Sequence, residues 1–138
     1  MSATALLPGD LQESPWFRQI LKEMQISGLP LNTSSNVLQA SMLVKNGPGL
    51  LFGFSANTSK ATAQFIQLHD SQAAPSNGAV PVAVFQINGA AVATGNDLAV
   101  SYIFPGRFFK YGIWLANSST RATLTAGSAD CFFDAQFA

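Results

Sequence analysis

Residues 131–137, CFFDAQF, alternate with a period of two, and that alternation constrains the chain more than any other feature. Cys131, Phe133, Ala135 and Phe137 fall on one face of an extended strand, while Asp130, Phe132, Asp134 and Gln136 fall on the other. A helix would scatter the same residues around its circumference; a strand sorts them into a core face and a mostly wet face. Upstream, Tyr111, Ile113 and Leu115 alternate with Gly112, Trp114 and Ala116, so this strand is apolar on both sides, as a central strand is. The pattern predicts that Trp114 is buried. Together residues 106–137 define a sheet that the rest of the chain must complete.

The remaining strands follow from the same period. Leu38, Ala40, Met42 and Val44 alternate with Gln39, Ser41, Leu43 and Lys45 from about Val37. Asn46-Gly47-Pro48-Gly49 turns the chain, and Leu50, Phe52 and Phe54 repeat the pattern as the second arm of a hairpin. Residues 61–69 and 80–87 supply two more strands around a loop rich in Ser, Ala, Pro and Asn. Leu98, Val100, Tyr102 and Phe104 give a fifth, broken by Pro105-Gly106, and a short polar strand is expected over 121–125. Seven or eight strands at turn spacings near ten residues predict a mainly β protein, an antiparallel β-sandwich of jelly-roll-like or immunoglobulin-like type.

The first 36 residues read differently. Pro8-Gly9 interrupts a small apolar run containing Leu6 and Leu7. Ser14-Pro15 then gives a helix start, ahead of Trp16, Phe17, Ile20, Leu21 and Met24 at helical spacing. A short amphipathic helix over residues 15–25 is expected, stopped by Gly28-Leu29-Pro30 and followed by a polar linker from Asn32 to Asn36. The chain thus divides into an arm, 1–36, and a sandwich, 37–138. The arm's Leu6, Leu7, Trp16, Phe17, Ile20 and Leu21 are the candidate partner-binding residues, with Trp16 and Phe17 as an aromatic anchor for a pocket on a neighbouring subunit; the alternative is that the helix packs on its own sandwich.

Composition bears on what such a chain can do. At 138 residues it is long enough to bury roughly 68% of its unfolded surface without staples. Only 10% of its residues are charged, against roughly 25% in an average soluble domain, so the outside is expected to meet other protein. The seven basic residues are balanced by seven acidic ones and spread along the chain, which argues against a nucleic-acid groove. No run is apolar and long enough for a membrane helix, and the first residues lack the basic start and apolar core of a signal peptide, so synthesis in a cytoplasm is expected.

Catalytic constellations are sparse. His69, Asp70 and Ser71 are adjacent, and consecutive strand side chains point to opposite faces, so they cannot form a relay. Asp130 and Asp134 share a face but lie about 13 Å apart, beyond the roughly 5 to 9.5 Å of a glycosidase pair. One His and one Cys, Cys131, on separate strands fall short of a zinc site, and no aspartate-rich calcium loop is present. Neither enzymatic activity, nor a metal, nor a cofactor is expected.

The runs AQFIQLHDS, NGAVPVAVFQI, GRFFKYGIWLANSSTRATLT and ADCFFDAQF together resemble a small β-sandwich module of tailed-bacteriophage virion proteins, among them capsid decoration or cement proteins and head or tail fibre components. The likeness spans residues 38–138. It implies an assembly role in oligomers of identical subunits, and it transfers no functional residue. The expectation is a homotrimeric decoration protein on the capsid surface, with the major capsid protein or another virion protein as partner. Two alternatives stand beside it: a fibre anchor or neck component, and a carbohydrate-binding module whose platform would be Trp114, Tyr102 or Tyr111.

Overall fold

A computed structural model describes residues 15, 16, 18, 19, 30–91 and 96–138. Among them nine strands form two antiparallel sheets: β1 (Leu31–Ser34), β2 (Ser41–Asn46), β3 (Gly49–Thr58), β4 (Gln64–Asp70), β5 (Ala83–Ile87), β6 (Asp97–Ser101), β7 (Arg107–Phe109), β8 (Gly112–Ser118) and β9 (Cys131–Phe137). The first sheet runs β1-β9-β3-β6, with β7 also paired to β3; the second runs β2-β8-β4-β5. We refer to them as the β9 sheet and the β8 sheet.

The order has a simple logic. Counting β6 and β7 as one interrupted strand, each strand pairs with its mirror image along the chain: β1 with β9, β2 with β8, β3 with β6 and β7, β4 with β5. This nested ribbon, folded over so that β9 also meets β3 and β8 also meets β4, is a jelly roll. The immunoglobulin-like alternative would place the first two strands side by side in one sheet; here β1 and β2 lie in different sheets.

Alternation builds the core. Cys131, Phe133 and Ala135 of β9 are buried while Phe132 and Gln136 are exposed, and Leu51, Phe54, Ile66, Leu68, Ile113 and Leu115 meet them from the facing strands. Phe54 and Phe85 close one side of this layer edge to face, with ring centroids 5.4 Å apart. β8 is buried almost throughout because its outer face is covered as well. The loops before β5 and after β8 fasten together there through Gly78 N–H to Leu124 O and Leu124 N–H to Ala79 O, both 2.8 Å. Beneath them Gln67, fully buried, donates its amide to the carbonyls of Thr120, Arg121 and Thr123.

Four sequence expectations change. The turn at residues 46–49 joins no hairpin: it carries the chain from one sheet to the other, where β2 pairs β8 and β3 pairs β9. Residues 31–34, assigned from the sequence to the arm, are strand β1, held by β9 in the register Leu31↔Phe137 to Ser34↔Asp134, so the sandwich starts before residue 37. Residues 121–125 form no strand; they are the covering loop, with Leu124 buried against the β8 sheet. Trp114 is half-buried on the outer face, opposite Leu43 and His69, rather than in the core. Pro15, Trp16, Arg18 and Gln19 are helical and exposed, within the helix expected over 15–25.

Candidate functional site

The adjacent polar residues at the end of β4 are structural. His69 is only 2% exposed, its Nε2 lies 3.0 Å from Gln67 Oε1, and burial holds its pKa below the ordinary value. Asp70 points the other way. Burial acts to raise its pKa, but the backbone N–H groups of Lys110, Tyr111 and Gly112, at 3.0, 2.8 and 3.3 Å, outweigh that and hold the carboxyl below its usual range. The carboxylate thereby pins the β7–β8 turn. Ser71 Oγ donates to Ala73 O at 2.7 Å, so the three side chains do not converge. Cys131 is fully buried in the other sheet, where burial pushes its thiol pKa up. Among the described residues, no three His, Cys, Asp or Glu side chains gather as a metal site.

The outer face of the β9 sheet carries a groove of about 550 Å³ lined by Ser34, Ser55, Asn57, Asp97, Phe132 and Asp134, among others. Its carboxylates are already engaged: Asn32 and Ser34 donate to Asp134, and Asn57 donates to Asp97. The aromatics that sequence reasoning offered as a sugar platform do not meet there. Trp114 lies on the β8 sheet, Tyr102 is half-buried against the core, and Tyr111 is exposed at the β7–β8 corner.

The most unusual surface is the edge formed by β6 and β7. Ser101 pairs with Gly53 and Arg107 with Leu51, so six steps of the edge strand, 101 to 107, answer two on β3, 53 to 51. Ile103, Phe104 and Pro105 loop outward between Tyr102, whose N–H still reaches Phe52 O at 2.9 Å, and Gly106, whose N–H bonds Ile103 O at 2.8 Å. Gly106 closes the excursion at φ +96°, and a methyl there would meet Leu51 O at 2.8 Å and the Phe52 ring at 3.0 Å. Only glycine combines that backbone angle with so close an approach. Phe109, which pairs with Gly49, turns inward and is fully buried; its neighbour Phe108 therefore turns outward.

The result is a band of exposed apolar side chains: Ile103 at 92%, Phe108 at 65% and Phe104 at 52% exposure. Nearby cations are occupied rather than screening it. Arg107 sits 5.9 Å over the Phe109 ring and donates to Val82 O at 3.0 Å, tying the two sheets together at this edge, and Lys110 lies 5.2 Å from the Tyr111 ring. Exposed Val80 and Val82 precede β5 on the facing sheet.

Of the arm residues predicted to bind a partner, Trp16 is helical and 71% exposed, whereas Leu6, Leu7, Phe17, Ile20 and Leu21 lie outside the described residues. Sequence reasoning did not single out the β6–β7 edge. Its signal was present in Ile103-Phe104-Pro105-Gly106, where an apolar run meets a turn pair that cannot continue a central strand. Compared with known protein families, with curated proteins and with solved structures, the chain gives no match in any of the three.

Proposed function

We propose that this chain is a structural protein of a tailed-phage virion, a decoration or cement protein that stabilises the head by bridging capsid subunits. The observation that carries the reading is the exposed apolar band Ile103, Phe104 and Phe108 on a sandwich edge, in a chain with so few charges. Apolar side chains left in water at this density mark surfaces that other protein covers. The jelly roll, a fold used for viral capsid and lectin domains, agrees with the resemblance of the strand sequences without choosing a function. Mechanistically, a bridging protein adds contacts that must be lost before the shell opens, which stabilises the assembled state by mass action.

The test is co-sedimentation of the purified chain with genome-filled heads, followed by counting copies per particle. Saturation at a number comparable with the capsid lattice supports a decoration role. A few copies per particle supports the fibre-anchor or neck reading, and no association rejects both. One observation favours a second class: the groove on the β9 sheet, with Asn and Asp side chains beside exposed Phe132, has the polar-plus-aromatic lining of a sugar site. Glycan binding by the isolated chain, lost on Phe132→Ala, would establish that reading instead.

A further inference from the structure

The β9 sheet places the root of the arm and the exposed apolar edge in one row. Leu31 pairs with Phe137, Phe137 with Leu51, and Leu51 with Arg107. Three interstrand spacings separate the ends of that row, roughly 14 Å. Residues 1–29 therefore join the sandwich level with β7, and they carry Leu6, Leu7, Trp16, Phe17, Ile20 and Leu21. Two apolar features thus occur on one molecule: the exposed Ile103, Phe104 and Phe108, and the exposed Trp16 in a sequence amphipathic at helical spacing.

Within a single chain Trp16, Ile103 and Phe108 all stay exposed. Each of these side chains would be stabilised by burial against protein. We infer that the β6–β7 edge is the seat for the N-terminal arm of a second copy of this chain, an inference that rests on the assembly role proposed above. The contact is heterologous, because arm meets edge rather than edge meeting edge. Such a contact repeats from copy to copy and closes into a ring when the rotation allows. Edge-to-edge pairing would cover Phe108 and leave Trp16 exposed; arm exchange covers both. The excursion at residues 102–106 also fits a side-chain seat better than strand addition, because it interrupts the backbone ladder along this edge.

The test uses the full chain and sedimentation velocity. The seat is changed by Ile103→Ser with Phe108→Ser, the arm by Trp16→Ala with Phe17→Ala, and thermal melting is recorded for each. Ile103→Ser alone, at a side chain 92% exposed, serves as a seat variant that cannot disturb the core. The wild-type chain is expected to self-associate, and each double variant to weaken association at least about tenfold with its melting intact. Mixing the two should restore a pair, since one supplies an intact seat and the other an intact arm. A monomeric wild type overturns the inference. So does a seat variant that dissociates while the arm variant does not, or a mixture that fails to pair. Head binding is measured separately: a monomer that still binds heads rejects the arm exchange and leaves the assembly role standing.

Discussion

His69 and Asp70 make the fold sensitive to acid through opposite kinds of site. His69 is buried neutral, and its folded pKa lies below the ordinary value. Above about pH 6.5, the ordinary histidine value, both folded and unfolded chains hold it neutral and it has no effect. As pH falls below that value the unfolded chain takes up a proton that the folded chain resists, so stability declines. His69→Gln should flatten the dependence of the urea midpoint on pH between about 6.5 and 5; an unchanged slope there would assign it to other groups. Asp70 has a lowered pKa from its three amide donors, so its contribution is present above the ordinary carboxylate value of about 3.9 and is lost as pH falls through its folded pKa. At neutral pH, Asp70→Ala leaves those N–H groups without their shared acceptor, and by analogy with losing a helix cap the expected loss is about 1–2 kcal/mol, read from chemical denaturation.

At the scale of strands, β1 decides where the sandwich begins. It is four residues long, pairs on one side only, and holds Asn32 and Ser34 against Asp134. Removing residues 1–29 should leave the melting temperature near that of the full chain. Removing residues 1–36 strips β1 from β9 and should lower it by several degrees, about what a loss of 1–2 kcal/mol produces; equal melting of the two truncations would show β1 to be dispensable. The same strand explains what could be read in advance. β8 and β9 were legible because long strands buried by neighbours show their period in their side chains. LNTS was not, since an edge strand this short and polar has no alternation to show. Residues 121–125 misled for the converse reason: TLT looks like a strand, but its polar backbone is satisfied by the loop before β5. The fifth strand was carried on to Phe104, past the end of β6 at Ser101, because alternation marks an apolar residue without saying whether core or partner will cover it.

For the molecule as a whole, the balance of seven acidic and seven basic residues predicts how it associates. Contacts built from Ile103, Phe108 and Trp16 gain little from long-range attraction, so severalfold increases in NaCl should leave self-association nearly unchanged. Sulfate, which strengthens apolar burial, should tighten it. Sedimentation across both salt series distinguishes this from charge-driven assembly, which NaCl would weaken. The groove on the β9 sheet, with Asp97 and Asp134 in its lining, is the place where a charge effect would enter if glycans were the ligand.

The nested strand order has a consequence for synthesis. β9 lies between β1 and β3, so it joins sheet partners made much earlier, since every other described strand precedes it. Until then β1 has no neighbour, and one side of β3 stands open with its backbone groups unpaired, an invitation to other nascent chains. A ribosome-bound chain halted before residue 131 should therefore remain sensitive to protease, and one long enough for β9 to clear the ribosome should become resistant in a single step. Until β9 arrives, neighbouring chains on one messenger share the same open edge on β3.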